Sequence, residues 1–565
     1  MSDNGSFSDK KIALVLILML LLFVIVITLL SLVPPISKDA LVHHLAVPKL
    51  YLNHGGIYEI PFMDFSYYPM NLQLLYMIPL YFGNDIVPKF IHFGFAILTA
   101  WLIYYYLKRR TNTFYALLGS LFFLSLPIII KLSITVYVDL GEIFFSLAAL
   151  LFLMEWLKSD FKIKYLIYSG IMCGLALGTK YNGLVTLAVL TFFVPFLYSR
   201  YGVKKGLVFF RPVAYCVTFL FVSLLIFSPW MIRNYHWKSN PIYPLYDELF
   251  NPPESLTEDP DLKRETVKIN QGFFTYRSLI YNEKGWQIAL LPIRIFFQGE
   301  DGNPQYFDGK LNPFLFILPF FAFFRLRDDT KCLRREKKIL LAYSVLFFCF
   351  AFFSTVLRIR YISPIIPPLI ILYVFGIMNI FRIVASISSR VIRKLVKPFV
   401  IIAIFYSLVL NGLYIIEQFK IVDPFSYIKG EISRDDYISR FIPEYPALKY
   451  INNNLAPDAK IFFILLGKRG YYCDRDYIFD IGIMNDLINR AQKPENILKG
   501  LLNKKITHIL INYHLFEKWM KDNFSEEEQG LTKDFFQKHA NLVYFKNGFG
   551  VNVLIANGER IPQSH

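Results

Sequence analysis

Runs of about 18–23 apolar residues recur along this 565-residue chain, each long enough to cross a hydrocarbon core of ~30 Å as a helix. A soluble domain has no means of hiding so many wholly apolar segments. Composition agrees: 55% of residues are hydrophobic and 18% charged, against roughly 45–50% and about 25% in soluble domains. A soluble enzyme, a disordered chain and a collagen-like chain are excluded. The expected fold class is an α-helical polytopic membrane protein with about eleven transmembrane helices. They lie near 12–33, 87–107, 114–131, 138–157, 165–179, 182–199, 207–231, 311–324, 339–356, 362–381 and 398–416. The first follows Lys10 and Lys11. It is too long for a signal-peptide core, and reads as an uncleaved anchor.

The net charge of +17 would suggest nucleic acid as a partner in a soluble protein, but here it sorts by side. With the N-terminus inside, segments 1–11, 108–113, 158–164, 200–206, 325–338 and 382–397 are cytoplasmic. They carry 23 Lys and Arg and six acids, so the whole excess of the chain lies on that face. This is the positive-inside signature of a topology, and no nucleic-acid partner is implied. An odd number of spans puts the C-terminus outside. The expected localisation is a multi-pass integral membrane protein, N-terminus cytoplasmic and C-terminus extracytoplasmic, in the plasma membrane of a prokaryote. The five cysteines show no CxxC spacing, so neither a disulfide framework nor a zinc site is supported.

Three long segments fall on the outer face: loops 34–86 and 233–310, and the region from 421 to 565. The last changes pattern. Pro446–Leu455 and Asn485–Leu502 read as helices, Lys460–Leu466 and Thr507–Asn512 as buried strands, and Ala540–Ala556 as a hairpin turning on Asn547-Gly548. Helices alternating with short apolar strands predict a small C-terminal α/β domain. The expected division is a transmembrane domain at 1–420, with interfacial helices in its outer loops, and an outer domain at 421–565. So much outer mass suggests chemistry on that face.

The candidate residues are the charges that map there. Asp39 lies just past the first span, near the headgroup level, where partial desolvation raises a carboxylate's basicity and suits a general base. On position alone, a solvated interfacial acid or a cap for the helix that follows is the plainer reading. His43 and His44 are adjacent and point about 100° apart on a helix, so they cannot share a metal. Asp139 and Glu142 stand one turn apart at the mouth of the fourth span. They suit an acceptor, a metal or a cationic partner, or simply a helix N-terminus. Lys180 sits between two apolar runs, placed either to hold a phosphate or to snorkel. Arg358 and Arg360 mark an outer turn against the positive-inside trend, and guanidinium binds phosphate bidentately. Convergence of these charges on one face is what a site at the lipid–water boundary requires.

The chain resembles the GT-C superfamily of membrane glycosyltransferases, in the branch of protein O-mannosyltransferases and the lipid A aminoarabinose transferase. The resemblance runs through the stretch from Asp39 to Tyr51, Tyr68-Pro69-Met70, Val138-Asp139-Leu140 and Gly178-Thr179-Lys180-Tyr181. It continues in Pro229-Trp230-Met231-Ile232-Arg233-Asn234, Asn240 to Pro244, Arg360 to Pro364, and Arg469 to Arg475. It implies Asp39 as catalytic base, Asp139 as a second acid, and Lys180 and Arg360 near the donor phosphate. No WWD motif is present, which argues against transfer of a preassembled oligosaccharide to asparagine. Beside Asp39 stands Lys38 rather than a second acid, so a divalent metal is left open and no other cofactor is implied.

The expected function is transfer of a single hexose or pentose from a polyprenyl-phosphate to a hydroxyl of a glycan, lipid or protein, with inversion. Membrane lipids are the remaining partners. A transporter or flippase of a lipid-linked or anionic substrate is the alternative. It would predict midplane charges and a repeat relating two halves. A non-catalytic assembly subunit is a further one.

Overall fold

The computed structural model describes residues 7–202, 210–252, 272–324, 329–353, 357–556 and 559–560. Parts of the spans expected at 207–231 and 339–356, of the outer loop 233–310 and of the basic segments 200–206 and 325–338 lie outside these. The chain divides into two compact units. The first holds the chain up to Leu32, Tyr67–Leu75 and Ile86–Pro424; the second holds Val33–Ser66, Tyr76–Asp85 and the chain from Phe425 onward.

The helices are α1 (Phe7–Ser31), α2 (Ala46–His54), α3 (Asn71–Tyr81), α4 (Val87–Lys108), α5 (Thr113–Ser125), α6 (Pro127–Ser133), α7 (Asp139–Lys158), α8 (Ile163–Thr179), α9 (Gly183–Tyr201) and α10 (Phe210–Lys238). Next come α11 (Phe273–Tyr281), α12 (Gly285–Ala289), α13 (Leu291–Phe297), α14 (Phe314–Phe321), α15 (Lys331–Phe352), α16 (Ile366–Ala385) and α17 (Arg390–Val422).

Among the described residues of the first unit, seven helices, α1, α4, α7, α9, α10, α16 and α17, are long and apolar enough to cross a membrane. The count rises to eight if α5 and α6, bent by 63° at their junction, form one span. Eleven is not the number these lengths and compositions return. Three expected spans fall short: α8 has 17 residues, α14 has eight around Pro319, and α15 opens on Lys331-Cys-Leu-Arg-Arg-Glu-Lys-Lys338. The α5–α6 bend has a local cause. Pro127 has no N–H to give, and the residue before a proline is pushed out of the helical region; Leu126 is accordingly extended, at φ −60° and ψ 134°.

Close helix approach follows from small residues. A Cβ at Gly174 would stand 2.5 Å from the Ser223 carbonyl oxygen, so α8 lies directly on the backbone of α10. One at Gly178 would collide with the Asn71 side chain.

The second unit is built on a sheet ordered β2-β1-β3-β5-β4, with β6 (Glu559–Arg560) beside β5. Strands β1 (Lys460–Ile464), β2 (Asp476–Ile478) and β3 (His508–Asn512) are parallel. The hairpin β4 (Ala540–Lys546) and β5 (Phe549–Ala556) pairs antiparallel to β3. Its two-residue turn, Asn547 at φ 55° and Gly548 at φ 81°, is the left-handed pair that matches strand twist. The expected helix at 485–502 is two, Ile481–Arg490 and Pro494–Asn503, because Pro494 opens a new helix. Phe462, Ile464, Ile509, Ile511 and Leu554 from the strands pack with Ile488, Ile497, Leu501 and Phe535 from the covering helices.

Candidate active site

Asp139 and Glu142 occupy the first turn of α7, where the helix dipole favours carboxylates. Both are buried, at 1% and 0% exposure. His92 on α4 holds that turn in place: its Nε2 accepts from the Leu140 N–H at 2.9 Å, and its Nδ1 faces the carbonyls of Leu132 and Thr135 at 3.0 and 3.1 Å. Lys180 ends α8 in extended backbone. Its Nζ donates to Asp139 Oδ1 at 2.6 Å and stands 3.9 Å from Glu142 Oε2. Buried charge is tolerated when paired in this way. Below this cluster a chain of hydroxyls runs from Ser146 to Thr186 to Tyr343, at 3.0 and 3.1 Å.

Tyr361 joins the cations. The Lys180 ammonium stands 5.1 Å from its ring centroid, and the Arg360 guanidinium lies 5.4 Å from that ring and 5.2 Å from Tyr137. Asn182, at the start of α9, donates to the Tyr361 carbonyl at 3.2 Å. The four sequence candidates are therefore joined through Lys180, which meets Asp139 and Glu142 and shares with Arg360 the ring of Tyr361, a residue that the sequence reading included in its motif without a role. Arg358 is not among them: it stands 3.6 Å from Asp308, beside Lys131, which pairs with Asp308 at 2.9 Å and Asp301 at 3.0 Å. Burial alone would raise the Asp308 carboxyl, but Lys131 outweighs it and holds the group below the usual carboxylate range. Lys131 was detectable, since it ends the apolar run Pro127-Ile-Ile-Ile130 against the same charge trend that singled out Arg358.

The scattered motifs behind the resemblance meet in one polar knot. Arg233 donates to the carbonyls of Tyr67 and Tyr68 at 2.6 and 3.1 Å. Asn234 reaches the Tyr67 carbonyl at 2.8 Å and the Tyr181 hydroxyl at 3.1 Å, and Tyr181 donates to the Tyr243 carbonyl at 2.8 Å. Trp230 donates to Asn71 at 2.8 Å. This knot fixes the α8–α9 junction that presents Lys180.

Asp39 belongs to the second unit. It is half-buried at the start of a π-turn, Ala40–His44, and its side chain makes no capping bond. Its segment is anchored within that unit. Lys49 donates to the carbonyls of Tyr471 and Cys473 at 2.8 and 3.0 Å and to Asp474 at 2.6 Å, and Tyr472 donates to the Pro35 carbonyl at 2.7 Å. The Asp39–Tyr51 and Arg469–Arg475 stretches thus hold each other. His43 and His44 lie with ring centroids 3.9 Å apart, and His43 stacks on Phe65.

A divalent metal fits poorly at Asp139 and Glu142, because the Lys180 ammonium occupies the coordinating direction of the nearer carboxylate. Among the described residues no group of three or more His, Cys, Asp or Glu converges as a metal centre would.

Residues 82–232 match the family model for dolichyl-phosphate-mannose-protein mannosyltransferase. The fold is similar to crystal structures of ArnT from Cupriavidus metallidurans, in the apo state and bound to undecaprenyl phosphate. Each gives a TM-score of 0.56 at 13% identity over 97% of this chain and 99% of the other. A structure of the Archaeoglobus fulgidus oligosaccharyltransferase superposes more loosely, at a TM-score of 0.48 and 13% identity over 90% of this chain and 71% of its own. No curated protein sequence matches the chain. Residues 82–232 of this integral membrane protein are thus similar to a membrane mannosyltransferase family, and the ArnT-like fold extends over almost the whole chain.

Proposed function

We propose that the protein transfers a single sugar from a polyprenyl-phosphate to an acceptor hydroxyl at the outer face, with inversion. The observation that carries this reading is the cation pair Lys180 and Arg360 gathered on Tyr361 and backed by Asp139. Near it, an apolar cavity of about 450 Å³ is lined by Phe296, Phe316, Phe348, Phe352, Ile365 and Leu369. A paired cation site suits a phosphate, and an apolar cavity beginning four residues past Tyr361 suits an isoprenoid chain. The ArnT neighbour bound to undecaprenyl phosphate supports a donor of that class.

In the proposed reaction Asp39 takes the proton of the acceptor hydroxyl. The oxygen attacks the anomeric carbon from the side opposite the phosphate, and the bond from that carbon to the phosphate oxygen breaks with its electrons passing to the phosphate. Direct displacement inverts the centre. Phosphate is a competent leaving group, so no strong general acid is required. Lys180 and Arg360 stabilise the charge that develops on it.

The test is sugar release from a panel of radiolabelled polyprenyl-phosphate sugars, each supplied with glycan, lipid and peptide acceptors. Wild-type protein and Asp39→Asn are compared in one lipid, with and without EDTA. Transfer by wild type, lost in Asp39→Asn and indifferent to EDTA, is the expected result. Retained transfer by Asp39→Asn removes Asp39 from the mechanism. Failure with every donor, together with donor flipping in liposomes, would establish the transporter alternative.

A further inference from the structure

Helices α12 and α13, in the loop before α14, are apolar on two opposite sides. Ile288, Leu291, Ile295 and Phe296 are buried. Trp286, Leu290, Ile293 and Phe297 recur at helical spacing and are 62%, 42%, 42% and 49% exposed. No acid occurs between Lys284 and Gln298. Single exposed apolar residues need no explanation, but a contiguous stripe of four large ones marks an interaction surface.

The stripe continues a flank that is apolar on every side. The Phe297 ring lies 6.2 Å from that of Phe316 on α14, and Phe316 lies 5.3 Å from Phe320. All eight residues of α14 are apolar, and its Ile317 and Phe320 are exposed. In an integral membrane protein that flank faces lipid. Tryptophan at the end of the stripe is the side chain enriched where a membrane meets water.

On its other side the segment is bonded to the cation turn. Arg294 donates to Glu283 Oε1 at 3.0 Å, and Arg277 donates to both Glu283 oxygens at 2.6 and 2.9 Å. All three side chains are at most 10% exposed, and breaking a buried pair is costly. Arg277 also donates to the Gln305 carbonyl at 2.9 Å. Two residues on, the Phe307 carbonyl accepts from the N–H of Ile359, the residue before Arg360, at 2.9 Å.

We propose that α12 and α13 lie in the surface of the leaflet with Trp286, Leu290, Ile293 and Phe297 in lipid, and that this anchor sets the depth at which the turn Ile359–Tyr361 meets a lipid-borne phosphate. The second half rests on the polyprenyl-phosphate reading above. A phosphate carried on a lipid is held near one depth, so a cation turn referenced to the same surface meets it without a search.

The full-length chain is placed in liposomes of phosphatidylcholine, with or without bromine on the acyl chains, beside Trp286→Phe; the difference between the two proteins isolates the Trp286 emission. Immersion by about 5–10 Å predicts that bromolipid quenches this emission at least about twofold and that aqueous iodide scarcely touches it. Quenching by iodide in place of bromolipid puts the stripe in water and overturns the anchor. Quenching by neither puts protein over it, a second copy of the chain included, and overturns it equally.

Depth-setting is read by equilibrium retention of undecaprenyl phosphate in the same liposomes. Leu290 and Ile293 are exposed and do not line the apolar cavity. Leu290→Asn with Ile293→Asn is expected to retain about fivefold less than wild type, and Leu290→Met with Ile293→Leu to match wild type. Equal retention by the asparagine variant overturns the depth-setting role. No retention by wild type removes the donor reading and that role with it, while Trp286 quenching still decides the anchor.

Discussion

Replacing Lys180 with Met removes the group that lies within 4 Å of both Asp139 and Glu142. It leaves two carboxylates that are at most 1% exposed. Stripping one partner from a buried pair costs about 3–5 kcal/mol; Arg360 remains close, so the lower part of that range, ~3 kcal/mol, is expected. Asp139→Asn keeps the shape and leaves Lys180 with Glu142 at 3.9 Å, for an expected ~1–2 kcal/mol. The double variant has no ammonium and one carboxylate fewer, so its cost should fall below the sum of the singles by at least ~1.5 kcal/mol. Reversible unfolding in mixed micelles, followed by tryptophan fluorescence, measures all three variants. A Lys180→Met cost under ~1 kcal/mol, or costs that add to within ~0.5 kcal/mol, would refute the account of the pair as a coupled buried unit.

Gly174→Val should destabilise by about 2–3 kcal/mol, because its Cβ meets the Ser223 carbonyl oxygen and Ile226. Gly412→Ala, with nothing within 4 Å, should be neutral or slightly stabilising; the same unfolding assay reads both. Tyr361→Ala should weaken undecaprenyl phosphate binding about fivefold by releasing the two cations from the ring, and Tyr361→Phe should not; binding is read by equilibrium retention on the purified protein. Burial holds the His508 imidazole down to about 4, so above pH ~6.5 it is neutral in folded and unfolded chains alike. As pH falls from there, the unfolded chain takes up a proton that the folded sheet refuses, and up to ~3 kcal/mol of the sheet's stability is lost by the time pH reaches 4. Hydrogen exchange across 460–464 and 508–512 at pH 7 and 4.5 should show that loss in wild type and not in His508→Gln; equal losses would exclude His508 as its origin.

What was legible in the sequence is what repeats or stands alone on the scale of a membrane. An apolar run of span length has few alternatives, so α4, α7 and α9 were found within two residues of their ends, while α1, α10, α16 and α17 were found by their apolar middles and missed by a turn or more at one or both ends. The span expected at 311–324 is not confirmed, because apolarity alone does not give length: α14 has eight residues with Pro319 inside them. Strand β2 was missed because three residues carry too little alternation to register. The candidate charges were located by their position at span ends, but pairing is a tertiary property. Nothing local shows that Lys180 chooses Asp139, that Arg358 goes to Asp308, or that Asp39 lies in the second unit. His92 went unnoticed, and Tyr361 was given no role, for the same reason: one acts through an amide of α7, the other through its ring.

The pairing also changes what the cations can be asked to do. Asp139 already answers part of the charge of the two cations on Tyr361 before any substrate arrives, so Lys180 is not a waiting anion receptor. Its ammonium has three donors, of which Asp139 takes one at 2.6 Å, and the buried carboxylate fixes where the others point. A phosphate approaching that site gains the field of Arg360 and a pre-aimed Lys180, and meets the opposing field of Asp139. The net attraction in the ground state is therefore small. It grows when negative charge accumulates on the leaving oxygen, because the cations can then turn towards the denser charge. In the proposed reaction, a partly neutralised cluster of this kind would bind a phosphodiester donor loosely and the departing phosphate more tightly, the ordering that transfer from a phosphate-linked sugar needs.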